Sequence, residues 1–344
     1  MKCAFNFKIM EESLMSYPLI APDFYKEYSD SWNREEKGDL PCEIIFTPAA
    51  AEYVFTLNNV DTVKLLMEHT DKINFQMYKL NPDKERDEAY EKSIKEKLAK
   101  FPQLQYYWPL KTMMMNILQR REAAFEVRML VLNYALKAVQ EIIDRNQAEA
   151  IPAFVSQFIA REEYNDVVKN FLQLNRNPGY SMQDGLAFLD IFNSNEQFGE
   201  IMDTIYANLG INKDEENVDE KKFSEQVTNY LNLKQDFYND FLKENEHYIE
   251  NFMVTFLWSL SMPFADPSMS VWDNYIFFCA LFNAVRLLLA CYTKGKTKED
   301  LAYAMAMFAY QFHNTPKAII KNVVQVIKDS GEGNNGDMAL LVMG

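Results

Sequence analysis

The stretch from Trp272 to Tyr292 constrains the fold more than any other part of the sequence, because it is apolar almost without a break. A helix that is apolar on every side has to be enclosed. A bilayer would enclose it, but Asn283 and Arg286 interrupt the segment, and an arginine near the middle of a bilayer costs a few kcal/mol or more. The sequence therefore predicts the central, buried helix of a soluble protein, with no membrane partner.

Two apolar helices flank this segment and complete a run of three from Glu246 to His313. The first has apolar residues largely at i, i+3, i+4 and i+7 spacing and stops at Pro263. The central helix opens with Ser270 and Asp273, which have the spacing of a capping box. The third opens in the same way, with Thr297 followed three positions later by an aspartate. The capping residues place the starts of both helices.

The rest of the chain carries further helical patterns and no convincing alternating strands. Asn177-Pro178-Gly179 is the strongest turn signal, Lys213–Lys222 predicts an interior loop, and Cys42–Phe46 fits one short strand. The predicted class is all-α: a multi-helix globular bundle around a buried apolar helix at about 271–292. The other predicted helices are Thr47–Phe55, Asn59–His69, Trp108–Arg120, Glu122–Arg145, Ala153–Leu174, Asp184–Phe192, Glu196–Leu209, Phe223–Glu244 and one from Thr315-Pro316 to Asp329.

Composition divides the chain into three parts. Residues 1–105 form an irregular and helical N-terminal region that includes the charge-dense segment Asp83–Lys100, a solvated helix or mobile excursion. Residues 106–330 form the helical domain, and residues 331–344 a glycine-containing, flexible tail. The N-terminus lacks the long apolar centre of a signal peptide, and four scattered cysteines do not make a disulfide framework. We therefore expect a cytoplasmic protein.

The formal net charge of −15 restricts the partners. A chain this acidic repels phosphate backbones and anionic lipid, so nucleic acid is excluded as the expected partner. A basic protein segment or a lysine-bearing substrate is attracted instead. Neither GxGxxG nor GxxxxGK[ST] occurs in a chain with only 10 glycines, which argues against a dinucleotide fold or a P-loop.

Metal chemistry has one weak signal. Glu244 and His247 have the Glu-x-x-His spacing of di-iron bundles, but such sites need a second copy, and none occurs. The favoured interpretation is a polar helix start, and we predict no metal site. Cys279 and Cys291 lie about 18 Å apart along one predicted helix, so they cannot share a metal, and a structural role is favoured for both.

Five polar residues are the candidates for substrate binding. Arg286 is the most informative, because a guanidinium inside an apolar helix needs an acid or carbonyl oxygens to meet it. Its partner must come from elsewhere, since the aspartate of its own helix is more than three turns away. A structural pair is favoured over a substrate clamp for Arg286, and a capping role over catalysis for the histidine at the end of the third helix. The candidates are Asn251, Asp273, Arg286, His313 and Asn314.

The run from Asn229 to Phe264 resembles the later part of the bacterial flagellin lysine-N-methylase family. Glu250-Asn251-Phe252 matches the family's Glu-Asn-aromatic start, and Pro263-Phe264 its closing pair. The resemblance continues to FAYQFHNTP, where His313 and Asn314 match a Ser-Arg-x-x-x-His-Asn pattern and Ala and Tyr replace the Ser and Arg. Arg121–Val139 is also similar to a mid-chain helix of the family, so the likeness covers about the last two-thirds of the chain.

The resemblance implies methyl transfer from S-adenosylmethionine to lysine side chains of a protein, with flagellin as the partner. It also implies an N-terminal cysteine cluster that holds an iron–sulfur centre. Here that region has only Cys3 and Cys42, and Thr47 stands where a cysteine of the segment LPCEIIFTPAAAEYVF is expected, so we expect no iron–sulfur cluster. No catalytic residue carries over from the family.

Three hypotheses therefore remain. The first is a flagellin lysine-N-methylase-like enzyme. The second is a non-catalytic helical relative that binds a protein and has lost the iron–sulfur centre. The third is a helical enzyme with a carboxylate-lined metal site near Glu244 and His247.

Overall fold

The computed structural model describes residues 19–22, 60–73, 75–78, 95–161, 177–193, 195–213, 219–314 and 318–329. Several predictions lie outside these residues: the strand Cys42–Phe46, the helix Thr47–Phe55, most of the segment Asp83–Lys100, the second half of Ala153–Leu174 and the tail 331–344.

The described part is a helical bundle, which confirms the all-α prediction. Its β structure is one antiparallel pair, β1 with β2, in which Leu19 lies opposite Tyr78 and Pro22 opposite Phe75. Short 3₁₀ turns precede α2 and α4, and a π-helical turn at Tyr238–Leu242 followed by a helical turn at Lys243–Asn245 separates α7 from α8. The elements are β1 Leu19–Pro22, α1 Val60–Glu68, β2 Phe75–Tyr78, α2 Tyr107–Leu118, α3 Phe125–Asp144, α4 Ile151–Ile159, α5 Pro178–Ile191, α6 Glu196–Leu209, α7 Glu220–Phe237, α8 His247–Ser259, α9 Val271–Tyr292, α10 Lys298–Asn314 and α11 Ala318–Asp329.

Helix α9 is the centre of the bundle, as the sequence predicts. Every residue of this helix except Asp273 is buried, and helices α3, α5, α6, α7, α8, α10 and α11 pack against it. By length and composition α9 could cross a membrane, but its apolar window is wholly enclosed by protein, as in the core helix of a soluble protein. The Ser270 hydroxyl accepts a hydrogen bond from the Asp273 backbone amide at 2.9 Å, so the predicted cap is present.

Capping residues also set the start of α10. The Asp300 carboxylate accepts from the Thr297 backbone amide at 2.8 Å, and the Thr297 hydroxyl accepts from the Asp300 amide at 3.2 Å, which completes the predicted capping box. The same carboxylate accepts from the Thr297 hydroxyl, and these bonds to its charged form hold the pKa of Asp300 below its usual range.

The turn predicted at Asn177-Pro178-Gly179 is wrong, because these residues begin a helix. The Asn177 side chain accepts from the Tyr180 amide at 3.1 Å, and Pro178 occupies the first helical position, where its missing N–H costs nothing. Helix α5 therefore starts six residues before the predicted Asp184. Glycine at position 179 lets α7 approach closely, since a Cβ there would lie 3.0 Å from the Phe223 ring.

Helix α7 also differs from its prediction at both ends. It begins at Glu220, because the Asp219 side chain accepts from the Lys222 amide at 2.8 Å, so the end of the predicted loop Lys213–Lys222 is helical. The continuous helix predicted to Glu244 stops at Phe237, where the π-helical turn begins.

Candidate functional site

A groove between α5, α9 and α11 is one concave feature that the described residues form. Its cavity volume is about 230 Å³, and its described walls are almost entirely apolar. Helix α11 supplies one wall, where residues at i, i+3, i+4, i+7 and i+8 spacing face the groove: Ile319, Asn322, Val323, Val326 and Ile327. Asp184, Ala187, Phe188 and Ile191 of α5 form the facing wall, and Ala280 and Asn283 of α9 form the floor.

Contacts between the helices give the groove a direction. The Phe188 and Phe277 rings lie 5.9 Å apart, while the Asn283 amide donates to the Ser181 carbonyl at 2.7 Å, so α5 and α9 run antiparallel. One end of the groove therefore holds Asp184 and Asn283. Ile191 lies at the other end of the α5 wall and is 42% exposed, and Val326 of the α11 wall is 68% exposed. The α5 and α9 walls thus place Asp184 and Asn283 at one end of the groove and Ile191 at the other.

Two ion pairs tie the wall formed by α11 to the start of α9 and to the loop before it. The Lys328 ammonium donates to the Asp273 carboxylate at 2.9 Å, which ties the end of α11 to the start of α9. The Lys321 ammonium lies 3.3 Å from the Asp266 carboxylate. Partial burial raises the pKa of Asp266, but hydrogen bonds from the Ser268 hydroxyl and backbone amide, together with Lys321, hold it below its usual range. Both lysines of this wall therefore face an acid outside the groove.

Arg286 lies behind the polar end and is only 2% exposed. Its guanidinium donates to the Ser181 hydroxyl at 3.1 Å and to the Asn283 amide oxygen at 3.0 Å. Ser181 in turn donates to the same amide oxygen at 2.7 Å. Burial raises the pKa of the nearby Tyr230 phenol, with the Arg286 charge opposing that effect. Ser181 and Tyr230 come from α5 and α7, in line with the expectation that Arg286 meets partners from other elements.

Two of the other predicted site residues, Asn251 and Asp273, do not join Arg286. The Asn251 side chain donates to the Leu66 and His69 carbonyls at 2.7 and 2.8 Å, and so it caps the end of α1. Asp273 lies in the first turn of α9, about 20 Å along the axis from Arg286. His313 and Asn314 end α10, and their side chains lie outside the description.

A second notable cluster surrounds Lys111, which is 1% exposed. Its amine lies 3.9 Å from the centroid of the Trp258 ring and 4.7 Å from that of the Tyr107 ring, and it is hydrogen-bonded to the Tyr107 hydroxyl. Such rings attract a cation by about 0.5–2 kcal/mol, less than the several kcal/mol that burial of an ammonium costs. Burial accordingly lowers the pKa of Lys111 well below its usual value.

The low pKa of Lys111 predicts a pH-dependent stability. Between that pKa and about 10.4 the unfolded chain binds a proton that the folded chain does not, so stability rises with pH by about 1.4 kcal/mol per unit. Urea unfolding of the wild type and of Lys111→Met at pH 7.0 and 8.5 should show the difference in stability moving in favour of the wild type, by at most about 2 kcal/mol, the full linkage value for one proton over this range. Burial raises the pKa of the Cys279 and Cys291 thiols in both proteins. Their contribution to the pH dependence of stability therefore cancels when the two proteins are compared. An unchanged difference would mean that Lys111 keeps its proton.

An ion-pair network between α3 and α8 was missed by the sequence reasoning. Glu250 is 1% exposed and accepts from Arg128 at 2.6 Å and from Arg121 at 2.8 Å. Arg128, 2% exposed, also lies 3.1 Å from Glu246 and donates to the Leu118 carbonyl. The partners are more than a hundred residues apart, so local spacing carries no signal of the pairing. The network fastens the start of α8 to that of α3.

The described residues do not form a ready metal centre. Cys279 and Cys291 are buried in α9 among apolar residues. The His247 ring nitrogen Nε2 donates to the Met67 carbonyl at 3.0 Å, and burial is the largest cause of its lowered pKa. Over the described ranges, no three His, Cys, Asp or Glu side chains converge as metal ligands would.

Comparison with known proteins gives one match. The family model described as the FliB lysine N-methylase C-terminal domain matches residues 111–342, more than half of the chain. These residues include every helix from α3 to α11 and all three walls of the groove. Searches of curated proteins and of solved structures found no match.

Proposed function

Because the chain belongs to the flagellin lysine N-methylase family, we propose that it transfers methyl groups from S-adenosylmethionine to lysine side chains of a protein substrate, with flagellin as the first candidate. The family match over residues 111–342 is the observation that carries this proposal. In such a reaction the deprotonated lysine amine attacks the methyl carbon of a sulfonium, and a neutral thioether leaves.

The charge of the chain supports a lysine-bearing partner. A net charge of −15 raises the local concentration of basic protein segments and speeds their association at low ionic strength. Enclosure of α9 by protein agrees with a soluble enzyme, and we place it in the cytoplasm, where its substrate would be synthesised.

The groove does not fit the methyl donor. S-adenosylmethionine carries a carboxylate, an ammonium, a ribose diol and an adenine, which together need many polar partners. The described lining offers one carboxylate and two amides among apolar side chains. An iron–sulfur centre fits no better, because four cysteines occur in the whole chain and two of them are buried a dozen positions apart in α9. We therefore derive no step through either group.

The shortage of thiols favours one alternative, a relative that binds the same protein without methylating it. Iron–sulfur chemistry needs at least three cysteines close together, and this chain has two before α9 and two within it. If methyl transfer in the family depends on a cluster, the helical body would remain as a protein-binding surface.

Incubation of the purified protein with flagellin and methyl-labelled S-adenosylmethionine separates these two functions. We expect label on the Nε atom of lysine after hydrolysis of the flagellin, and no label on flagellin whose lysines have been acetylated. A parallel arm with anaerobic iron–sulfide reconstitution tests whether a cluster is required. Absence of label in both arms, together with retention of flagellin on the immobilised protein, would support the binding relative and contradict the methylase.

A further inference from the structure

We propose that the groove between α5, α9 and α11 binds an apolar run of this same chain, residues 338–343 with the sequence MALLVM, which follows α11. These six residues lie outside the described part of the chain. The inference does not rest on the proposed function. It follows from the lining of the groove, from the point at which α11 ends and from the composition of the residues after it.

The groove has the lining that an apolar segment needs. Eight of its eleven described lining residues are apolar. A cavity of about 150 Å³ can hold a benzene molecule, so the 230 Å³ of this groove can accept side chains of the size of leucine or methionine. Ile191 and Val326 of the lining are 42% and 68% exposed, and exposed apolar residues that adjoin one another mark a contact site.

Helix α11 brings the chain to this groove. Ile327 lines the groove, and α11 ends two residues later at Asp329. The Lys328 ammonium is paired with a carboxylate of α9 at 2.9 Å, which holds that end of α11 against the bundle. The eight residues 330–337 can span about 26 Å, whereas the α11 wall from Ile319 to Ile327 is about 12 Å long. The apolar run can therefore reach every part of this wall.

The residues after α11 divide into a polar connection and the apolar run. The connection, SGEGNNGD, contains three glycines, which permit the reversal of direction that a return to the groove requires. The run itself carries no charge, in a chain whose net charge is −15. Its leucine, valine and methionine side chains gain free energy when they leave water for an apolar lining. The family match extends to residue 342 and so includes most of the run together with the groove.

The covalent connection favours the run of the same molecule over that of a second copy. A short tether gives an attached segment an effective concentration on the order of 1 mM at its site. A second copy in solution at about 1 μM is about a thousandfold more dilute, so it competes poorly for the groove. Even weak binding of the run is therefore enough to fill the groove within one molecule.

Disulfide cross-linking in the full-length protein tests the position of the run. Val326→Cys changes a lining residue that is 68% exposed, so the fold should tolerate it. The background carries Cys3→Ser and Cys42→Ser, while Cys279 and Cys291 are buried and stay in place. Val326→Cys is combined in turn with one of three changes in the run, Met338→Cys, Leu341→Cys or Val342→Cys.

We expect at least one of these pairs to form an intramolecular disulfide under copper–phenanthroline oxidation, because a disulfide needs Cα atoms about 4.4–6.8 Å apart. Its rate should be at least tenfold higher than when Glu225→Cys, an exposed position of α7 outside the groove lining, replaces Val326→Cys. Non-reducing gels and peptide mapping identify the product. A covalent dimer would assign the groove to the run of a second copy and overturn the proposal, as would rates no higher than with Glu225→Cys.

Two aspartate substitutions in the fastest pair give a matched control. Leu340→Asp places a carboxylate within the apolar run and should slow the cross-link at least fivefold, because that charge is disfavoured against an apolar lining. Asn335→Asp adds the same charge in the polar connection and should leave the rate unchanged. Equal rates for the two variants would contradict binding of the run through its apolar side chains.

Discussion

Replacing Glu250 with alanine should destabilise the protein by about 3–5 kcal/mol, one of the two largest effects that we expect. Glu250 is almost fully buried and meets Arg128 at 2.6 Å and Arg121 at 2.8 Å. Its removal leaves the Arg128 guanidinium, which is 2% exposed, with Glu246 as its remaining carboxylate partner. The desolvation cost of that buried charge is then poorly offset. Urea unfolding at pH 7, followed by circular dichroism, measures the loss.

The double variant Glu250→Leu with Arg128→Met is the informative control. Replacing a buried pair by apolar side chains of similar volume is often neutral or stabilising, so this protein should recover most of the stability that Glu250→Ala loses. An exposed pair gives the comparison: Lys221 and Glu225 lie 4.0 Å apart in α7, and Glu225→Ala should cost less than about 0.5 kcal/mol. Equal costs for Glu250→Ala and Glu225→Ala would contradict the importance assigned to burial.

Helices α9 and α10 could be predicted from the sequence because their signals are local. Ser270 and Thr297 cap α9 and α10 as their spacing requires. Because α9 is apolar on every side, none of its faces can lie against water, and the sequence alone therefore predicts its central position. The turn predicted at Asn177-Pro178-Gly179 was wrong because this local signal is ambiguous. Asn-Pro-Gly is typical of a turn and also of a helix start, and only the residues that follow decide between them.

The groove and the buried ion pairs could not be predicted, because each depends on residues that are distant in sequence. The sequence singles out Glu250 through a family resemblance and Arg286 through its apolar neighbours. No local pattern predicts that Glu250 pairs with Arg128, or that Arg286 donates to Ser181. Asp184 looked like the start of a helix when it is the second turn of one. Its place in the lining of the groove depends on the packing of α9 and α11 beside it.

The aromatic cluster around Phe308 carries the second large effect. Phe308 is fully buried in α10, and its ring lies 5.8 Å from Phe192, 6.2 Å from Phe198 and 6.3 Å from Phe256. These rings come from the end of α5, from α6 and from α8, so one side chain joins several parts of the bundle. Phe308→Ala should cost about 3–5 kcal/mol, since it removes a large buried ring and leaves a cavity that rigid helices cannot close.

The expected loss should depend on volume more than on the identity of the residue. Phe308→Leu keeps much of the apolar volume and should cost less than half as much as the alanine variant, whereas Tyr303→Ala, on the same helix and 37% exposed, should have a small effect. Thermal and urea unfolding of the three proteins gives the ranking. If Phe308→Ala and Tyr303→Ala were equally stable, α10 would not be packed through Phe308, and the arrangement of α5, α6 and α8 around it would be wrong.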